Sequence, residues 1–247
     1  MKLRTKNLSA GYSGKKVLKD INLEAQAGDF IVLLGKNGAG KSTFIKSVSG
    51  IIPVLEGDIE LNGNSLLNLD GKKRAELIGV VLTDRIDTDL SVYEFIALGR
   101  QIYTGYFDIL SKNDHSKIEQ ILIKLQLKEL RQRKLNEISD GERQKALVAR
   151  VLVQETPVIL LDEPTAHLDL ENKAVIFGLL KELTQKENKI VIVSTHDINL
   201  VLKHIHKIWL VDNSKIIEID KNSNNLLQLF NSEKIIYDPD CQIFKMI

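Results

Sequence analysis

Gly35, Gly40, Lys41 and Ser42 are the residues whose types and spacing point most directly to chemistry. They stand in Gly35-Lys-Asn-Gly-Ala-Gly-Lys-Ser42, which matches the pattern G-x-x-x-x-G-K-[ST]. Glycines let successive backbone N–H groups turn inward around phosphate oxygens. A helix that starts at the end of such a loop aims its positive end at the same anion. Lys41 is then placed to neutralise β- and γ-phosphates, and the Ser42 hydroxyl to ligate Mg²⁺.

Two further groups belong to the same chemistry. Asp162-Glu163 closes the apolar run Val158-Ile-Leu-Leu161, and His196 follows the run Ile190-Val-Ile-Val193. Adjacent carboxylates at the end of a buried strand are costly unless they serve a ligand. Asp162 suits a Mg²⁺ ion, held directly or through water. Glu163 suits the base, or the orienter, of a water that must meet the γ-phosphate in line. His196 can donate to that phosphate and register its presence.

The elements that must position these groups are legible in outline. Asp29-Phe-Ile-Val-Leu-Leu34 reads as a buried strand before the loop, and Thr43 to Ser49 as the start of a helix after it. Ile78–Leu82, Val158–Leu161 and Ile190–Val193 are continuous apolar runs, which suit strands covered on both faces of a parallel sheet. The expected fold is therefore an α/β core with a mostly parallel sheet, whose ligands sit at the carboxyl ends of the strands. Residues 1–28 read as strands and turns. There Tyr12 is either a half-buried strand aromatic or a ring that stacks on a base. From about 87 to 155 the periodicity turns helical. The aromatic run Tyr103-Thr-Gly-Tyr-Phe107 is either a contact surface or a satellite core. Ser139 with Glu142 forms a capping-box pattern ahead of a helix expected near Arg143. Ile208–Val211 and Lys215–Ile219 read as a hairpin around Asn213-Ser214, and 221–225 as a linker.

Composition sets the outer limits. The chain has 247 residues, 43% of them hydrophobic, and a formal charge of +1. That is enough for one large domain, and the balanced charge argues against a dedicated nucleic-acid binder. A single cysteine, Cys241, excludes an internal disulfide and fits a reducing compartment. No apolar run approaches the roughly 20 residues needed to cross a bilayer. A cytosolic chain is expected, reaching any membrane through another protein.

Taken together the motifs resemble the ATPase subunit of an ATP-binding cassette (ABC) transporter, over roughly residues 1–220. Gly35–Ser42 matches Walker A, and Ile159-Leu-Leu-Asp-Glu163 Walker B. Ile138-Ser-Asp-Gly-Glu142 is similar to the signature Leu-Ser-Gly-Gly-Gln, Ala166-His-Leu-Asp169 to the D-loop, and His196 to the switch histidine. The resemblance implies a P-loop (RecA-like) core with an N-terminal antiparallel β subdomain, an inserted helical subdomain at about 87–155, and a C-terminal extension at 221–247. It implies an ATP site made of Tyr12, stacked on adenine, and of Gly35, Lys36, Asn37, Gly38, Ala39, Gly40, Lys41, Ser42 and Thr43. Ser139, Gly141 and Glu142 of a second copy complete it. Catalysis falls to Glu163, His196 and Lys41, and Mg²⁺ to Ser42 and Asp162. The implied partners are that second copy in a two-fold ATP sandwich, integral-membrane permease subunits and a substrate-binding protein, at the cytoplasmic face of the membrane, with no nucleic acid.

The chain also departs from the pattern. Where the family places a Gln after the strand Ile78–Leu82, it has Thr83 followed by Asp84-Arg85, so Asp84 or a water must serve the metal, or that contact is weaker. Asp140 and Glu142 replace Gly and Gln in the signature. Ala97-Leu-Gly-Arg100, Tyr103-Thr-Gly105, Leu110-Ser111 and Asp114 are similar to ATPases that serve importers of iron–siderophore complexes, haem or cobalamin. The rival within the family is a soluble ABC ATPase of DNA repair, translation or cofactor assembly. A GTPase is excluded, because Asn172-Lys173 and Asn188-Lys189 both lack the Asp of a base-reading motif. A small-molecule kinase shares the loop but neither the signature nor the carboxylate pair.

Overall fold

The computed structural model describes residues 1–83, 86–105, 108–202 and 204–219, together with the backbone of two short strands near the C-terminus. In chain order the elements are β1 (Lys2–Tyr12), β2 (Lys15–Gln26), β3 (Phe30–Gly35), α1 (Lys41–Ser49), β4 (Val54–Leu61), β5 (Asn64–Ser65), α2 (Gly71–Leu77) and β6 (Ile78–Val81). Then come α3 (Val92–Ala97), which runs into a 3₁₀ stretch at Leu98–Tyr103, α4 (Lys112–Lys124) and α5 (Asp140–Val153). The chain continues through β7 (Val158–Asp162), α6 (Leu170–Glu187), β8 (Ile190–Ser194), α7 (Ile198–Val201), β9 (Lys207–Asp212) and β10 (Lys215–Ile219). The terminal strands β11 (Ile235–Asp238) and β12 (Ile243–Met246) pair antiparallel. The expected linker at 221–225 and Cys241 lie outside the described residues.

Two sheets carry the fold. An antiparallel one has the order β2-β1-β4-β5, and a six-stranded one the order β10-β9-β3-β8-β7-β6. In the larger sheet β9, β3, β8, β7 and β6 run parallel, and only the edge strand β10 is antiparallel. The expected mostly parallel α/β core is therefore present. So are the N-terminal antiparallel strands and the helices α3 to α5 between β6 and β7.

The continuous apolar runs have the cause inferred for them. In a pleated strand successive side chains point to opposite faces. Phe30, Val32 and Leu34 of β3 enter one core with Ile159, Leu161, Val191 and Val193, under the helices α3, α5 and α6. Ile31 and Leu33 enter the other with Leu160, Ile192, Phe44 and Trp209, under α1 and the antiparallel sheet. Each face is covered, so neither parity of the strand can be polar. Each such side chain contributes about 1.5–3 kcal/mol by leaving water.

The helical insertion has its own polar anchor. Arg100 and Asp114 are buried, with Arg100 Nε donating to Asp114 Oδ1 at 2.7 Å. Arg100 Nη1 donates to Val153 O at 2.6 Å and to Glu155 Oε2 at 2.8 Å. The guanidinium also lies 4.2 Å from the centre of the Tyr103 ring, and Tyr103 Oη donates to Gln154 O. Gly99 permits this close seating, since a Cβ there would fall 2.1 Å from Arg150 O. Tyr103 is thus tied to the end of α5, although the residue is still 47% exposed. Tyr106 and Phe107, the rest of that aromatic run, lie outside the described residues.

Asp114 titrates accordingly. Hydrogen bonds from the Ser111 hydroxyl and amide, then Arg100, hold its carboxyl at about 2. The folded value is depressed, so its stabilisation is complete above the ordinary carboxylate range and is lost as pH falls toward 2. Urea unfolding of the native chain and of Asp114→Asn is expected to show this. The stability gap between them should shrink by roughly 2 kcal/mol from about pH 5 to about pH 2. A gap that is constant over that window would remove Asp114 as the titrating group.

Candidate functional site

The strand order decides the geometry of the site. β3, β8 and β7 are consecutive and parallel, in the register Phe30↔Val191 and Asp162↔Ser194. Their carboxyl ends therefore lie side by side on one edge of the sheet. The first ends in the loop Gly35–Ser42, the second leads to His196, and the third ends in Asp162-Glu163.

The loop is closed by its own lysine. Lys41 is only 6% exposed, and its Nζ donates to Gly35 O at 2.8 Å and Lys36 O at 3.2 Å. Gly40 caps α1 with φ 116°, a conformation that disfavours other residues, and a Cβ there would fall 3.0 Å from Leu18 Cδ2 and 3.2 Å from Val17 Cγ1. No side chain caps this helix end. Its first amides have no partner within the helix and open at the end of the loop that Lys41 closes. Lys36, Asn37, Gly38 and Ser42 are exposed, whereas Thr43 is buried.

The carboxylates are held in different ways. Asp162 is 1% exposed, and its Oδ1 accepts from Ser194 Oγ at 2.6 Å. Its Oδ2 is buried and has no hydrogen-bond partner among the described residues. Native proteins rarely leave a buried carboxylate oxygen unsatisfied, so this one asks for a ligand. A divalent cation fits: a hard oxygen is waiting at Asp162, and α1, which carries the Ser42 hydroxyl in its first turn, packs against β7. Glu163 adopts φ 46°, in the left-handed region. Its amide donates to Ser194 O and Ser194 Oγ, and its Oε1 lies 3.0 Å from His196 Nε2. Both side chains are partly open to solvent.

Several of the participants are not marked by any motif. Ser194 touches both acidic residues, and Asp197 ties the two strand ends together again. Asp197 Oδ2 accepts from Thr165 Oγ1 at 3.0 Å, and its Oδ1 from Lys173 Nζ at 2.8 Å. The only signal in the sequence is the polar run Ser194-Thr195-His196-Asp197, which marks an exposed strand end but not its partners.

The remaining candidates lie apart from this cluster in role. Tyr12 ends β1, is 47% exposed and pairs with Lys15 across the Ser13-Gly14 turn. Ser139 caps α5, whose first turn begins at Asp140, three residues before the expected start, because Ser139 and Glu142 close a full capping box. Ser139 Oγ donates to Glu142 Oε2 at 2.8 Å, and the backbone and side-chain hydrogen bonds from Ser139 lower the Glu142 carboxyl. Gly141 lies against His167 and Leu168, which brings the signature-like and D-loop-like segments of one chain together. Thr83 is exposed after β6, and Asp84, offered above as its substitute, lies outside the described residues.

The family profile described as ABC transporter matches residues 18–166. An uncharacterized ABC transporter ATP-binding protein of Methanocaldococcus jannaschii is 38% identical over 87% of this chain and 74% of its own. Bacillus subtilis has a "Probable siderophore transport system ATP-binding protein" that is 31% identical over 87% of this chain and 78% of its own. Among solved structures, a dimeric post-hydrolysis ATP-binding cassette bound to ADP and phosphate superposes with a TM-score of 0.79 at 28% identity, covering 88% of this chain and 98% of that one. With a profile match over more than half its length and a cassette fold, this chain belongs to the ABC transporter family, as an ATP-binding subunit whose ATPase activity is coupled to transport.

Proposed function

We propose that two copies of the chain close around two ATP molecules, each with Mg²⁺, and drive a membrane permease that imports an iron chelate. The observation that carries the reading is the buried, unpartnered Oδ2 of Asp162 on the sheet edge that also holds the Lys41 loop, Glu163 and His196. When bound, Mg²⁺ supplies Lewis-acid stabilisation of charge on the phosphates. Asp162 and Ser42 would hold it. The loop amides and Lys41 bind the phosphates, Tyr12 stacks on adenine, Glu163 takes a proton from water, and His196 orients Glu163 and reports the phosphate. Ser139, exposed ahead of α5, and the Gly141 amide, half-buried in its first turn, would meet the second copy's ATP, with Glu142 releasing Ser139 as they do so. The dimeric cassette with ADP and phosphate supports the two-fold arrangement, and the siderophore-system relative supports the class of cargo.

Coupling has a mechanical candidate in α5. This 14-residue helix is about 21 Å long. Its first turn carries the signature-like residues. Near its other end Arg150 and Gln154 line a groove of about 650 Å³ that Ile51, Pro53, Leu67 and Arg74 also line. We assign this groove to the permease, so that one rigid helix links permease and ATP interface. The helical segment at about 87–155 acts as the moving subdomain of the 1–220 unit, with 221–247 as an extension.

The test is capture of the tagged chain from detergent-solubilised membranes of its source. A polytopic membrane protein is the expected partner, retained by the native chain. Capture of ribosomes or DNA instead would overturn the transport reading in favour of a soluble ABC ATPase.

A further inference from the structure

Ser194 sits at the end of β8 with no accessible surface. Its hydroxyl makes two hydrogen bonds of opposite sense. It donates to Asp162 Oδ1 at 2.6 Å and accepts from the Glu163 amide at 3.0 Å. Its backbone carbonyl accepts from that same amide at 3.1 Å. One side chain therefore grips both neighbouring acidic residues from the adjacent strand. A buried hydroxyl has one proton and two lone pairs, so donating to Asp162 while accepting from Glu163 fixes its rotation.

Two local features depend on this grip. Asp162 has one oxygen occupied and one unpartnered, and Ser194 decides which is which. Glu163 holds a left-handed backbone at φ 46°, which is uncommon for a residue with a long side chain and must be held by its surroundings. The shared amide bond to Ser194 is such a hold. It also sets the direction in which the Glu163 side chain leaves the strand end, toward His196 Nε2 at 3.0 Å.

We propose that Ser194 is the positioning residue of the carboxylate pair: its hydroxyl presents Asp162 Oδ2 to the divalent cation and fixes the backbone from which Glu163 reaches water. The proposal rests on the reading that Asp162 and Glu163 serve a metal–ATP complex. Partners that orient a metal's ligands typically change affinity or activity by 10–100-fold when removed, which sets the scale here.

The test uses the full chain with Ser194→Ala, which deletes the hydroxyl, Ser194→Cys, which keeps nearly the same volume with a weak donor, and Ser194→Thr, which restores the hydroxyl. Mn²⁺ is titrated by electron paramagnetic resonance in the presence of a non-hydrolysable ATP analogue. Analogue affinity in EDTA and steady-state ATPase kinetics are measured alongside. The expected result for Ala is Mn²⁺ affinity about 10-fold weaker and kcat 10–100-fold lower. Metal-free analogue affinity and KM for ATP should stay within about 3-fold, because the Lys41 loop is untouched. Cys should follow Ala, and Thr should recover most of kcat. A hydroxyl that serves only packing would not divide kcat from KM in this way. If Ala does not fold, Cys carries the decision. Mn²⁺ affinity and kcat within about 2-fold of the native chain in the variant that folds would overturn the role of Ser194 alone. Failure of the native chain to bind Mn²⁺ with the analogue would overturn the metal-site reading beneath it.

Discussion

Glu163→Gln is expected to lower ATP turnover by about 10²–10⁴-fold while leaving nucleotide affinity within about 3-fold. The substitution removes the proton acceptor and little else. Gln has nearly the same volume, and its carbonyl oxygen can still accept from His196 Nε2, which lies 3.0 Å from Glu163 Oε1. The hydrogen bonds that hold residue 163 at φ 46° come from its backbone amide and do not depend on the side chain. In the proposed site binding falls to the loop and Lys41, which this change does not touch. In the proposed sandwich ATP favours the closed form and hydrolysis removes the preference, so blocking hydrolysis should leave the closed form populated. Phosphate release and gel filtration with Mg²⁺ and ATP measure the two halves. Turnover above a tenth of the native rate would show that Glu163 is not the base. A variant that stays monomeric with ATP would defeat the sandwich.

Lys41→Ala is expected to weaken ATP binding by at least about 100-fold. A charge-assisted hydrogen bond contributes roughly 1.5–3 kcal/mol, and in the proposed site the ammonium serves two phosphates. Two such bonds correspond to about two to four powers of ten in affinity. The loss has a second origin in the free protein. Lys41 Nζ also bridges Gly35 O and Lys36 O, so its removal loosens the loop that must present its amides together. Lys41→Arg should not restore binding. The side chain is 6% exposed in a cradle shaped for a compact ammonium, and a planar guanidinium presents its donors differently. Titration with a fluorescent ATP analogue checks both variants. Native-like affinity in the alanine variant would remove Lys41 from the binding site.

The substrate-class segment shows how one set of residues can carry two meanings. Arg100, Tyr103, Ser111 and Asp114 resemble a pattern from importers of iron–siderophore complexes, haem or cobalamin, and the structure makes them a tie within the helical insertion. The pattern therefore reports the build of the insertion directly, and cargo only through the class of transporter in which that build occurs. Nothing in single-residue periodicity distinguishes a buried arginine with three acceptors from a solvated one, since both look polar.

What the amino-acid sequence determined alone was whatever depends on neighbours along the chain. The loop Gly35–Ser42 is local, because its glycines and the start of α1 fall within eight residues of chain. The capping of α5 by Ser139 and Glu142 is local, as is the two-faced burial of β3, β7 and β8, which unbroken apolar runs announce. The tertiary structure alone decided adjacency. That β8 lies between β3 and β7 is a consequence of sheet order, and no period in the sequence encodes which strand sits beside which. From that order follow the grip of Ser194 on Asp162 and Glu163 and the tie from Asp197 to Thr165. Their hydrogen bonds cross some thirty positions of chain, a distance over which only packing of the two apolar faces sets the register.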